Sequence, residues 1–156
     1  MKTFLDTSVL VPVFFGEHEH HEASLELFTQ LSKDDACCAA HSLVEVYSSM
    51  TRMPGKHRVS ADQAVLFIDE MLARLTVVAL TPDEFAHTLR SFAALGIVGG
   101  TIYDAMLAGC ALKANAERIV TWNIRHYRQC GTEVARRLQT PGAYIEDTPG
   151  RAGTYY

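Results

Sequence analysis

The 156-residue sequence predicts an α/β fold: a three-layer α/β/α sandwich around a central, mainly parallel sheet of four to five strands. Two observations carry that prediction. Short apolar or β-branched runs alternate along the chain with longer segments whose apolar residues recur every three to four positions. Strands buried on both faces by crossover helices read as continuous apolar runs, and these do.

The elements follow in order. Residues 2–5 form an apolar strand that stops at Asp6-Thr7-Ser8, good helix-capping residues. A short buried helix is expected over residues 9–15, with Pro12 tolerated in its first turn. A second helix covers 19–31, with Ala23, Leu27, Phe28 and Leu31 on one face. Residues 36–40 form a buried strand. A helix over 42–52 presents Leu43, Val46, Tyr47 and Met50 and breaks at Met53-Pro54-Gly55. Ser60 caps a helix over 61–75, and 76–80 is a β-branched strand. Thr81-Pro82-Asp83-Glu84 starts a helix strongly, with proline at its first position and acids in its first turn. That helix ends at Gly96. After Gly99-Gly100-Thr101, a helix rich in small residues covers 102–115, and 117–122 supplies another strand. Beyond Asn123 the pattern weakens. Residues 134–138 read as an edge strand in preference to a helix, and residues 148–156 as a tail ordered only if something holds it. One domain over residues 1–147 is expected.

Bulk properties narrow the function. The formal net charge is −4, with 14 Lys and Arg against 18 Asp and Glu, which argues against coating nucleic acid by charge alone. It leaves room for an enzyme whose bound cations recruit phosphate. Basic residues gather at Arg52, Lys56 and Arg58, and again at Arg118, Arg125, Arg128, Arg136 and Arg137. No apolar run reaches the roughly 18 residues of a membrane span. Asp6 falls too early for the apolar core of a signal peptide, so a cytoplasmic protein is expected. Cys37, Cys38, Cys110 and Cys130 lack CxxC spacing and are read as reduced core residues.

Ligands of a parallel sheet bind beyond the carboxyl ends of its strands, near a topological switch point. Asp6 lies at one such end, and Asn123 just past another. Glu45 and Asp104 lie in the first turns of helices that follow. Clustered carboxylates repel unless a cation joins them, and an all-oxygen set suits Mg²⁺ or Mn²⁺. Each residue also has a plainer reading: Asp6 and Asp104 as helix caps, Glu45 as a solvated helix residue, Asn123 as turn chemistry.

Four segments in order carry a resemblance: Phe4-Leu5-Asp6-Thr7-Ser8, Ser42-Leu43-Val44-Glu45-Val46, Tyr103-Asp104-Ala105-Met106-Leu107-Ala108, and Val120-Thr121-Trp122-Asn123-Ile124-Arg125-His126-Tyr127. In these the chain resembles a PIN domain, and within that superfamily a VapC-type toxin of a toxin–antitoxin pair. The resemblance implies that Asp6, Glu45 and Asp104 bind Mg²⁺ or Mn²⁺ and that Asn123 occupies a fourth, usually acidic, position. With an amide there, one well-held cation is expected. It further implies RNA hydrolysis by a metal-activated water, an antitoxin partner and a homodimer. Ser8 and Thr121 support the acids, and Arg125 is either a phosphate contact or a surface arginine. Val11, Phe14, Phe15, Leu27 and Phe28 are interface candidates, unless the core absorbs them.

Two other functions compete: a PIN-like RNA- or partner-binding module without turnover, which the missing fourth acid motivates, and a phospho-receiver using Asp6. The second lacks a paired acid and a late lysine. The stretch Glu17-His18-Glu19-His20-His21-Glu22 resembles a metal cluster but opens a helix, where such residues are usually solvated; His20 and His21 remain candidates for the substrate approach. Gly96 to Gly100 follows a helix and not a strand, so it fails as a dinucleotide loop. No GxSxG surrounds Ser8.

Overall fold

The computed structural model describes residues 2–148. Five parallel strands, β1 (Thr3–Leu5), β2 (Ala36–Ala39), β3 (Thr76–Val78), β4 (Arg118–Val120) and β5 (Leu138–Gln139), lie in the order β3-β2-β1-β4-β5. The chain winds outward from β1 to β3, then returns to the other side of β1 for β4 and β5. The switch point therefore falls between β1 and β4, whose register pairs Leu5 with Val120. Asp6 and Thr121 emerge side by side there, and the Asp6 amide donates to the Val120 carbonyl at 3.0 Å.

Strand alternation divides the core into two layers. Phe4, Cys37 and Ile119 face one cluster, covered by α5 (Pro82–Ala94) and α6 (Thr101–Lys113). Leu5, Cys38 and Val120 face the other, covered by α1 (Thr7–Phe14), α2 (His21–Gln30), α3 (Ala40–Thr51) and α4 (Ala61–Arg74). Adjacent Cys37 and Cys38 thus point to opposite layers. All four cysteines are free and buried, and burial pushes the Cys38 thiol up to about 12 and the other three to about 11. They behave as small core residues.

The caps explain where the helices start. Ser60 and Gln63 form a reciprocal capping box on α4, as do Thr81 and Glu84 on α5. Asn115 closes α6 at φ 51°, a conformation asparagine tolerates.

Three expectations change. Asp6 caps α1, as its capping reading expected, but the helix starts at Thr7 and not at Val9, so Pro12 sits inside it and leaves the Ser8 carbonyl without its usual amide donor. Residues 134–138 are not one strand: Val134 is buried in α8 (Thr132–Ala135), and β5 begins only at Leu138. The interface candidates of the early helices divide, with Val11, Phe14 and Phe15 half-buried against the core. Leu27 and Phe28 are buried, while Phe14 stacks on Phe67 at 4.7 Å and meets Phe28 edge-on. Two short helices follow β4 and β5 where the sequence pattern had faded, α7 (Ile124–Tyr127) and α9 (Pro141–Glu146). The expected tail lies outside the described residues from position 149 onward.

The contact that sets the position of α6, and with it Asp104, is a close approach at Gly109. A Cβ there would stand 2.7 Å from Cγ2 of Thr88 on α5. Threonine is stiff at χ1, so it yields poorly. Gly109→Ala should lower stability by about 1 kcal/mol despite its helix propensity, and in a Thr88→Ser background, which lacks that methyl, the same change should raise it by up to about 1 kcal/mol. Urea denaturation of the four proteins measures both.

Candidate active site

Asp6 is 1% exposed and accepts four hydrogen bonds. Its Oδ2 takes the Ser8 hydroxyl at 2.6 Å, the Thr121 hydroxyl at 2.8 Å and the Ser8 amide at 3.3 Å. Its Oδ1 takes only the Tyr127 phenol, at 2.5 Å. A buried carboxylate costs several kcal/mol unless donors replace water, and here they come from α1, the β4 exit and α7. Each hydroxyl has one proton. Ser8 and Thr121 spend theirs on Asp6, so the 3.2 Å contact between their oxygens is packing; each oxygen then accepts, Ser8 from the Trp122 amide and Thr121 from the Asn123 amide. The crowding of donors on Oδ2 leaves Oδ1 as the oxygen with lone-pair capacity to spare.

Glu45 and Asp104 join Asp6 through electrostatics. Burial raises the Glu45 carboxyl above the ordinary range; the charges of Asp6 and Asp104 add to the rise, while nearby His41 opposes it. Burial likewise raises Asp104, followed by the Asp6 charge, and a hydrogen bond with His126 counters both. The local partners are His41 Nε2, 3.4 Å from Glu45 Oε1, and His126 Nδ1, 3.2 Å from Asp104 Oδ2. The first contact is not a hydrogen bond, and Glu45 Oε1 is a buried oxygen without a hydrogen-bond partner among the described residues. Tyr127 is fully buried, and burial together with the three carboxylates raises its phenol far above the usual value, so it stays a donor.

An orphaned buried carboxylate oxygen, a second oxygen with spare capacity and a third mutually repelling acid fit a hard divalent cation. Among the described residues no three Asp, Glu, His or Cys side chains converge tightly enough to cage an ion directly. Mg²⁺ tolerates that, because it keeps several waters and takes one or two carboxylates.

The remaining expected residues divide. Ser8 and Thr121 contact Asp6 directly. Asn123 lies past β4 as expected, but is exposed; its backbone amide serves Thr121, and its side chain caps nothing in α7. Arg125 is exposed on α7. The histidine stretch packs beside the site: His20 stacks on Trp122 with centroids 3.8 Å apart, His21 Nδ1 lies 2.7 Å from the Pro12 carbonyl oxygen, and Glu17 pairs with His57.

Three roles escaped the sequence reading. His41 precedes Glu45 by four residues, a spacing that signals a helical pair. His126 and Tyr127 sit in a weakly patterned segment, where no spacing reveals that one pairs with Asp104 and the other buries its hydroxyl on Asp6.

These shifts carry a pH dependence. A carboxyl raised in the folded chain binds more protons folded than unfolded, so its contribution to stability is present at low pH and is lost as pH rises past the ordinary value near 4. Without divalent cations, the Glu45→Gln and Asp104→Asn double variant should therefore melt above wild type at neutral pH. The gain should be about 0.5–1 kcal/mol, reduced by the partial exposure of both groups, and should shrink toward pH 4. Thermal melts in EDTA across that range give the sign.

Comparison with known proteins accords with this geometry. A family model described as the PIN domain matches residues 3–131. Ribonuclease VapC27 of Mycobacterium tuberculosis is 32% identical over 114 residues, covering 72% of this chain and 79% of the relative. Ribonuclease VapC40 of the same species is 33% identical over 123 residues, covering 77% and 85%. The crystal structure of M. tuberculosis VapC20, a sarcin-ricin loop cleaving toxin, superposes with a TM-score of 0.66 at 16% identity, covering 85% of this chain and 98% of that one. The VapBC-1 structure from nontypeable Haemophilus influenzae gives 0.64 at 17% identity, covering 91% and 99%. The chain belongs to the PIN-domain family and is VapC-like within it.

Proposed function

We propose that the chain is a divalent-metal-dependent endoribonuclease, the toxin of a toxin–antitoxin pair, built as one nuclease domain over residues 1–147. The observation that carries this reading is the trio of carboxylates at the β1/β4 switch point. Asp6 is buried and fully solvated by protein donors, while Glu45 and Asp104 are raised by burial and by neighbouring carboxylate charge. The names of the relatives, ribonucleases of the VapC group, support it.

Asp6 through Oδ1, Glu45 through Oε1, which accepts no hydrogen bond among the described residues, and Asp104 would hold Mg²⁺ or Mn²⁺, in part through bound waters. A cation held by these residues would supply the charge that activates a water and neutralises phosphate and leaving oxygen. The chain's own residues orient the ligands. Ser8, Thr121 and Tyr127 fix the Asp6 carboxylate in one rotamer, as outer-shell partners of metal ligands do. His126 holds Asp104 from the β4 side. Arg125, exposed on α7, stands on the same side and would meet a substrate phosphate there. Asn123 adds an amide and no charge, which favours one cation over two.

An antitoxin partner follows from solved relatives described as VapBC complexes, and a homodimer from the family resemblance. No helix among the described residues is long and apolar enough to cross a membrane, and a cytoplasmic location accords with the proposed role. A binding module without turnover is the second reading, favoured by the exposed amide at position 123.

Wild-type protein with Mg²⁺ or Mn²⁺ should cleave single-stranded RNA, and chelation should stop it. Asp6→Asn and Glu45→Gln should each lower the rate at least about a hundredfold, with circular dichroism of the folded chain unchanged. Equal cleavage by Asp6→Asn contradicts the site; metal-independent RNA binding without cleavage supports the module.

A further inference from the structure

A cleft of about 280 Å³ opens on the β3 side of the sheet's carboxyl edge, with His41 and Tyr103, neighbours of Glu45 and Asp104, in its lining. Met106 and Leu107 of α6 line it from one side, and Leu80, Phe85 and Leu89 from the β3 exit and α5 line it from the other. Two planar side chains complete the lining. His41 of α3 and Tyr103 of α6 lie 9° from parallel with ring centroids 6.3 Å apart. Both are open to solvent, Tyr103 at 63% and the His41 side chain at 55%.

Their placement ties the cleft to the acids. Tyr103 immediately precedes Asp104, and His41 lies one helical turn before Glu45 and touches it. His41, in contact with Glu45 and in the lining of the cleft, is the direct link between the acids and an apolar slot edged by aromatic rings. We propose that this cleft takes one unstacked nucleobase of single-stranded RNA, stacked against Tyr103 beside the phosphodiester held at the acids. The proposal rests on the ribonuclease reading above.

The chemistry of the walls fits that occupant. The volume falls just under the roughly 300–1,000 Å³ of drug-sized sites, enough for one flat ring system. A charged phosphate finds no partner among Leu80, Phe85, Leu89 and Met106, whereas every base has a π-face that stacks on tyrosine. Such a slot tolerates different bases, since stacking reads no hydrogen-bonding edge. It also excludes paired RNA, whose bases must leave the helix to enter. The strand would then run across the carboxyl edge of the sheet, with a base on the β3 side and phosphates toward Arg125 on the β4 side.

Fluorescence titration of a single-stranded oligoribonucleotide carrying 2-aminopurine, with wild-type protein and Ca²⁺, a hard cation that neutralises the acids, read before any cleavage, tests this. The expected result is quenched emission on binding. Tyr103→Ala should weaken affinity about tenfold, within the range of base–aromatic stacking, and Tyr103→Phe should keep it within about twofold. Tyr103 is exposed, so the melting temperature should not change. Equal affinity for wild type and Tyr103→Ala overturns the proposal. So does a dimer, seen by sedimentation, that Phe85→Glu breaks while RNA affinity stays constant, since the cleft then belongs to a second copy. Tyr103-dependent binding in a protein that cleaves no RNA with any divalent metal overturns the ribonuclease reading alone.

Discussion

A single carboxylate with almost no solvent exposure is what the rest of the structure is arranged around. Asp6 accepts hydrogen bonds from residues 2, 115 and 121 positions away, so one side chain ties β1 and α1 to the β4 exit and to α7. Leaving such a group buried and unpaired would cost several kcal/mol, and each donor is therefore under tight geometric demand. The same residue caps α1, which makes the start of a helix and the centre of the site one structural event. Fold and site are not separable here: the parallel register of β1 and β4 places Asp6 beside Thr121, and their contact holds that register.

The other two acids illustrate the opposite condition. Where Asp6 is satisfied, Glu45 keeps a buried oxygen without a hydrogen bond among the described residues, and burial together with neighbouring carboxylate charge raises both Glu45 and Asp104. His41 beside Glu45 and His126 beside Asp104 each offset part of that cost. A folded chain that keeps such repulsion sacrifices some stability at a place where chemistry profits from it. Divalent cation binding would relieve the repulsion, which couples the loaded site to the stability of the fold.

Much of this was legible in the sequence wherever a signal was local. The strand ending at Asp6, the caps at Ser60 and Thr81 and the small-residue face of α6 all follow from neighbours a few positions away. Four dispersed polar residues, ordered along the chain, pointed to one edge of the sheet, and the three carboxylates among them feel one another's charge there. What the sequence hid depends on distant partners. Residues 124–146 form elements of two to six residues, too short for a period to show, and they are placed by contacts to β1, β4 and α6. Pro12 looked like a first-turn residue because the apolar run begins only at Val9, while any of Asp6, Thr7 and Ser8 could serve as the cap. Tyr127 reads as an ordinary apolar position three residues after Ile124, and only the tertiary structure brings its hydroxyl to Asp6. Asn123 has the expected place in the chain, yet it is exposed, with its amide N–H serving Thr121.

Asp6, Glu45 and Asp104 are proposed to act together as the site of one hard cation. Calorimetric titration of Mn²⁺ into the intact protein tests it most directly, since it needs no substrate. One ion bound per chain, with binding lost in the Glu45→Gln and Asp104→Asn double variant while the fold persists, is the expected result. Undiminished binding in that variant, or two equivalent ions in the wild-type chain, would contradict it.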